Sequence, residues 1–214
     1  MIVEQRIRDY LHSLEPDQGD LLEEISRKAI RDEVPIIKKD TGALLKTMVA
    51  AKRPRAILEV GTAVGYSALL MAGVMPAECT ITTIEKYEPR IPVAKANFKR
   101  AGEEARITLL EGDAEEILKE LEGPYDFIFM DAAKGQYINF LPELLRLMPA
   151  GGLLISDNVL QEGDIVESRY GVTRRNRTIH TRMREYIYTL THAEQLETSI
   201  VPIGDGITLS VKKG

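Results

Sequence analysis

From Arg55 onward, short apolar runs alternate with longer stretches of helical spacing, and this alternation constrains the fold more than any other feature of the chain. The runs are "AILEVG", "CTITTIE", "ARITLLEGD", "YDFIFMD" and "GLLISDN", rich in β-branched residues and too short for core helices. Each of the first four is followed by apolar residues at helical spacing, as with Val93, Ala96 and Ala101 after the second. Such alternation predicts repeated βαβ units, a mainly parallel sheet and helices on both of its faces. The end differs. A helix over about Arg174 to Thr191 leads into "QLETSIVPIGDGITLSVKK", two apolar runs joined by Gly204-Asp205-Gly206. That joint predicts a hairpin, with the last strand antiparallel to its neighbour.

The first fifty residues read as helices. Ile2, Ile7, Tyr10, Leu11 and Leu14 form one stripe, and "EPDQ" breaks it. Leu21, Leu22, Ile25 and Ile30 continue to Pro35, and a third helix spans about Thr41 to Ala51. The 214 residues therefore read as one domain, with a helical cap over 1–52 and a sheet portion over 53–214. The net charge of −5 excludes a bulk polyanion binder, so any nucleic-acid contact has to come from a local basic patch. The single cysteine, Cys79, is expected as a buried strand residue, which excludes a disulfide within the chain and suits a reducing compartment. No run of about 18 apolar residues occurs, so no membrane span is expected and the protein reads as cytoplasmic. His12, His180 and His192 fall on the first and last helices and are expected at the surface or an interface, not as ligands.

In open α/β sheets, ligands bind beyond the carboxyl ends of the strands. The first strand ends in "EVGTAVGYS", where Gly61 and Gly65 allow a tight turn and close approach of a ligand. The following four runs end at Glu85, at Asp113, at Asp131, and at Asp157 with Asn158. A lone carboxylate at a strand end is ordinarily a helix cap. Five successive ends carrying a glycine loop or an acid imply a site at the mouth of the sheet.

The loop fails the dinucleotide fingerprint, because Ala63 and Tyr66 stand where glycines are wanted, and it contains no G-K-[ST]. Glu85, 24 residues beyond Gly61, still suits a ribose diol, and Asp113 with Ala114 suits an adenine amino group. A nucleoside without a pyrophosphate grip is implied. S-adenosylmethionine fits, with its sulfonium favoured near Glu59 and Asp131. Asp131, Asp157 and Asn158 offer three hard oxygen ligands, the usual way to hold Mg²⁺. The region has no thiolate or imidazole, which disfavours Zn²⁺.

Together "EVGTAVGYSALLMA", "TIEKYEPR", "GDAEEIL", "YDFIFMDAAKGQY", "LLISDNVLQEG" and "VPIGDGITLSVKK" resemble the metal-dependent O-methyltransferases of the catechol and caffeoyl-CoA type, over about residues 30 to 213. The resemblance implies a Rossmann-like, seven-stranded α/β sheet with an antiparallel last strand. It implies Mg²⁺ at Asp131, Asp157 and Asn158, and cofactor contacts at Glu59, Gly61, Ser67, Glu85, Asp113, Ala114 and Asp131. Ile37 would pack on the methionine end, Lys134 matches the family's catalytic lysine, and the family tends to dimerise, for which the first helix is a plausible contact.

A hydroxyl methylated beside a metal needs a second oxygen next to it, as in catechols or in 5-hydroxyuridine. Six arginines fall within sixteen residues: Arg169, Arg174, Arg175, Arg177, Arg182 and Arg184. A solvated helix face accounts for such a run, and so does phosphate contact, for which Arg174, Arg175 and Arg177 are the candidates. With this segment and the "VPIGDG" ending, the chain looks most like the bacterial tRNA 5-hydroxyuridine methyltransferases, which implies tRNA as partner. A small catechol-type substrate is the alternative.

Overall fold

Seven strands form one sheet in the computed structural model, which describes residues 4–214. Ile2 of the N-terminal stripe lies outside the described residues. The strands are β1 (Ala56–Val60), β2 (Thr80–Glu85), β3 (Ile107–Glu111), β4 (Phe127–Met130), β5 (Leu153–Ser156), β6 (Leu196–Val201) and β7 (Ile207–Lys212), in the order β3-β2-β1-β4-β5-β7-β6. The first five are parallel, and β7 runs antiparallel to both β5 and β6, as the hairpin reading requires.

The two-residue period of the strands divides the core between two faces. Ile57, Phe127, Phe129, Leu153 and Ile155 pack with α2 (Asp20–Arg31), α3 (Lys39–Lys52), α4 (Tyr66–Ala72) and α5 (Ile91–Ala101). Leu58, Val60, Ile128, Met130 and Leu154 pack with α6 (Ala114–Glu120), α7 (Tyr137–Leu147) and α8 (Arg177–His192). Central β4 is covered on both sides, which is why "FIFM" is apolar throughout and buried throughout.

Ile25, Ala29, Leu45 and Val49 of α2 and α3 belong to the first of these cores, so the change of texture near residue 52 is not a break in packing. Helix α1 (Gln5–Leu14) buries no residue and leaves Ile7, Tyr10, Leu11 and Leu14 in solvent. Cys79 is buried, but it lies in the turn ahead of β2, where its N–H donates to Pro76 O at 3.0 Å. The expected last helix begins as a 3-10 turn, Arg174–Asn176, before α8.

His180 corrects the surface expectation. It lies on the inward stripe of α8 with Met183, Tyr186 and Leu190, is 2% exposed, and its Nε2 lies 3.2 Å from Glu167 O. Position within the helical period, not polarity, decided its burial. His192 is exposed and stacks on Tyr188, and His12 is half-buried. Among the described residues, no helix is long and apolar enough to cross a membrane.

Candidate active site

Strand order reverses between β1 and β4, where the chain departs to opposite sides and leaves a crevice at the carboxyl ends. A cleft of about 760 Å³ opens there, a size suited to a small-molecule cofactor. Gly61 sets its floor. Its φ is +106°, its N–H donates to Ile84 O at 3.1 Å, and a Cβ at this position would collide with the Asp131 carbonyl. The ends of β1 and β4 therefore meet only because residue 61 has no side chain.

On the β1–β3 side each acid has its donors. Glu85, the last residue of β2, accepts the Ala63 N–H on Oε2 and the Tyr87 N–H on Oε1, both at 2.7 Å, and so shapes the loop it faces. Asp113 accepts the Glu115 N–H at 2.9 Å, capping α6, and pairs with Lys86 at 2.6 Å. These contacts hold its carboxyl below the usual range, the Lys86 hydrogen bond first. Ile37, Gly61, Ser67, Glu85, Asp113, Ala114 and Asp131 all line the cleft.

Glu59 does not line it. Fully buried one layer beneath, it accepts from Ser67 Oγ and Thr83 Oγ1, both at 2.5 Å. Burial pushes its carboxyl up to about 7, with these two hydrogen bonds opposing. Thr83 in turn meets Thr62 Oγ1 at 2.5 Å. Sequence reasoning misses both threonines, although three threonines among the six residues of β2 are a legible signal for a polar partner of Thr83.

On the β4–β5 side the chemistry is crowded. Asp131 lines the cleft, Asp157 lies just behind it, and Asn158 lines it from a left-handed backbone with φ 64°. Tyr137 Oη donates to the Asp157 carbonyl at 3.1 Å, and Asp157 Oδ1 accepts the Asn158 N–H at 2.7 Å. Burial raises the carboxyl pKa at both aspartates. At Asp157 the Asp131 charge raises it further, while Lys134 opposes the shift at Asp131. Among the described residues no three His, Cys, Asp or Glu side chains cluster, so the set is two carboxylates and an amide. Two acids that burial and mutual repulsion both disfavour, beside an amide oxygen donor, fit a hard divalent cation.

Lys134 opens the 3-10 turn Lys134–Gln136 on the same wall, its Nζ 3.5 Å from Asp205 Oδ2. In the sequence Asp205 reads only as a turn residue. Arg182 Nη1 donates to Gly135 O at 2.9 Å, which binds α8 to the lysine turn. Arg184 holds the Ile165 carbonyl at 3.2 Å. Arg174 and Arg175 are exposed, and Arg177 sits 5.5 Å over the ring of Tyr170. None of the six arginines forms an ion pair with a carboxylate among the described residues. The three candidate phosphate ligands do not line the cleft.

A seven-stranded sheet of this order, reversed at its last strands and carrying its site at the β1–β4 switch, defines a Rossmann-like methyltransferase fold. A family model described as O-methyltransferase matches residues 12–213, and the chain belongs to that family. A solved protein of Staphylococcus aureus, provisionally named a caffeoyl-CoA O-methyltransferase, is 32% identical with a TM-score of 0.90, covering 97% of this chain and 100% of its own. The S-adenosylhomocysteine-bound methyltransferase PaMTH1 of Podospora anserina is 26% identical with a TM-score of 0.86, over 98% of this chain and 94% of that one. Caffeoyl-CoA O-methyltransferase of Stellaria longipes is 31% identical over 78% of this chain and 72% of its own length. Catechol O-methyltransferase of Niastella koreensis is 34% identical over 61% of each.

Proposed function

We propose that the enzyme transfers the methyl group of S-adenosylmethionine to a hydroxyl with a second oxygen beside it, and that Asp131, Asp157 and Asn158 hold a divalent cation, Mg²⁺ in the first instance. The observation that carries this reading is one cleft wall on which Gly61, Glu85 and Ala114 stand with Asp131, Asn158 and Lys134, the buried Asp157 crowding Asp131 from behind. When bound, the cation supplies positive charge that makes the substrate hydroxyl more acidic, and the cofactor supplies the methyl group.

The chain's own residues do the rest. Glu85 and Asp113 orient the ribose and adenine, Ile37 packs on the methionine end, and Glu59 steadies Ser67 from below. Lys134 accepts the hydroxyl proton or stabilises the oxyanion. Asp131 stands between the cofactor side and the metal side.

For the substrate, the arginines without carboxylate partners in a segment that Arg182 ties to the lysine turn favour 5-hydroxyuridine at the wobble position of tRNA, converted to 5-methoxyuridine. Its C5 hydroxyl stands beside the C4 carbonyl, and Arg174, Arg175 and Arg177 would take backbone phosphates. A second reading is a small phenol of the catechol or caffeoyl-CoA type. The named relatives weigh toward this one. Purified enzyme offered both substrates with labelled S-adenosylmethionine separates them, together with mass spectrometry of tRNA nucleosides from a strain lacking the gene. Loss of 5-methoxyuridine supports the first reading, and methylated catechol with unchanged tRNA supports the second.

We also propose a cytoplasmic homodimer joined through α1, whose Ile7, Tyr10, Leu11 and Leu14 are exposed. Light scattering of a variant with these four changed to serine tests it, a dimer with unchanged mass counting against that interface.

A further inference from the structure

Asp205, 5% exposed at the tip of the β6–β7 hairpin, directs its two carboxylate oxygens at two different parts of the site. Oδ2 lies 3.5 Å from Lys134 Nζ, and Oδ1 accepts the N–H of Glu162. The surrounding backbone is fixed to the same segment. The Asp205 carbonyl accepts the Leu160 N–H at 3.0 Å, and the Gly206 carbonyl accepts the Val159 N–H at 2.9 Å. Gly206 has φ +83°, and a Cβ there would run into the Leu160 side chain, so the tip fits only without one. On its other side, the Gly204 N–H donates to Asp40 Oδ2 at 3.0 Å.

One buried side chain thus joins Lys134 to the segment that leaves Asn158. We propose that Asp205 is a positioning residue that holds the Lys134 amine in register with the Asp157–Asn158 loop, where it can meet the substrate hydroxyl. This rests on the reading of Lys134 as proton acceptor. A lysine on four rotatable bonds, whose charge also acts on Asp131, would otherwise be free to swing onto that carboxylate. In this structure Lys134 forms its ion pair with Asp205 and none with Asp131.

Asp205→Asn isolates the interaction, because the amide oxygen still accepts from Glu162 while the amide nitrogen facing Lys134 cannot accept. The expected result is a fall in kcat of about 10- to 100-fold, the usual cost of losing a partner that orients a reacting group, with KM and S-adenosylhomocysteine affinity unchanged. In a Lys134→Ala background the same change should cost nothing further, since its effect passes through the lysine. Independently of turnover, acetylation of Lys134 by an amine-reactive ester, read by peptide mass spectrometry, should speed up severalfold relative to the other lysines. Hydrogen exchange at Leu160 and Glu162 should stay as in the wild type.

Unchanged kcat, a second loss in the Lys134→Ala background, unchanged labelling, or faster exchange across Leu160–Glu162 overturns the proposal. A wild type inert on both tRNA and catechol, with Lys134 labelling still faster in Asp205→Asn, sinks the functional reading and leaves the clamp supported. Should Asp205→Asn not fold, Asp205→Glu keeps the charge and shifts it by one methylene. A fall in its kcat supports a role for position, and wild-type kcat refutes it.

Discussion

Glu59 and Asp157 are both buried carboxylates at the end of a strand, yet their surroundings treat them differently. Glu59 lies under the cofactor side with two hydroxyls donating to it, from Ser67 and Thr83. Asp157 lies on the β4–β5 side with Asn158 as its donor, through backbone and side chain, and a second buried carboxylate beside it. The first arrangement has its hydrogen bonds made within the protein. The second sets two buried acids side by side with Lys134 opposing the shift only at Asp131, and it is where an added cation would lower the energy most. On the proposed reading, a nucleoside grip with its hydrogen bonds already made stands next to a pair of acids that a cation would complete.

The sharpest way to break this contrast is at the metal side. Asp131→Ala or Asp157→Ala should lower methyl transfer by about 10³-fold, within the range spanned by the removal of proton-transfer catalysis, while circular dichroism stays native. EDTA should do the same to the wild type. Full activity in EDTA would make the two sides equivalent after all.

The next effect is on stability and belongs to Glu59. Its folded-state carboxyl stands at about 7 against an ordinary value of 4.5, so the folded protein binds this proton more tightly than the unfolded chain. The contribution to stability is full below pH 4.5 and is lost as pH rises through about 7, amounting to about 3 kcal/mol at most. Asp131 and Asp157 shift the same way. The difference between wild type and Glu59→Gln in urea unfolding, followed from pH 4.5 to about pH 8, isolates the glutamate. Parallel pH profiles for the two proteins would mean that the hydroxyls compensate its burial fully.

A smaller change is expected at Glu85, which braces its own loop and, on the proposed reading, also holds the cofactor ribose. Glu85→Ala should weaken S-adenosylmethionine by about 1–3 kcal/mol, the cost of hydrogen bonds to a charged group. Calorimetry that finds unchanged affinity would take Glu85 out of the nucleoside grip and leave it as a loop brace.

The mildest effect on catalysis concerns the arginines. Changing Arg174, Arg175 and Arg177 to Ala should flatten the log–log salt dependence of tRNA binding by about 0.7–0.9 unit for each phosphate no longer neutralised. Turnover of a free catechol should hold, because the cleft is untouched. Wild-type salt dependence in the triple variant would reduce the segment to a solvated basic face and move the phenolic reading ahead.

The alternation of apolar runs with helical stretches determined the sheet. It also determined most of the cleft wall, because repeated βαβ units bring every parallel strand's carboxyl end to one edge. Gly61, Glu85, Asp113, Asp131 and Asp157 are therefore legible as neighbours although they span nearly a hundred positions. The change of texture near residue 52 is visible in the sequence, but not the fact that α2 and α3 share the core of the sheet.

Partnership and depth were decided only by the tertiary structure. Glu59 reads like the other strand-end acids, yet its side chain lies beneath the wall, because the last residues of β1 are enclosed by α4 and β2. His180 reads as polar and lies inside. Asp205 reads as a turn, and its role depends on partners 71 residues away at Lys134 and 43 away at Glu162, with neighbouring Gly204 reaching 164 residues back to Asp40. Local spacing specifies which way a side chain leaves its own element. Which donor or charge it then meets follows from how β7 inserts beside β5, and no periodicity within the hairpin encodes that insertion.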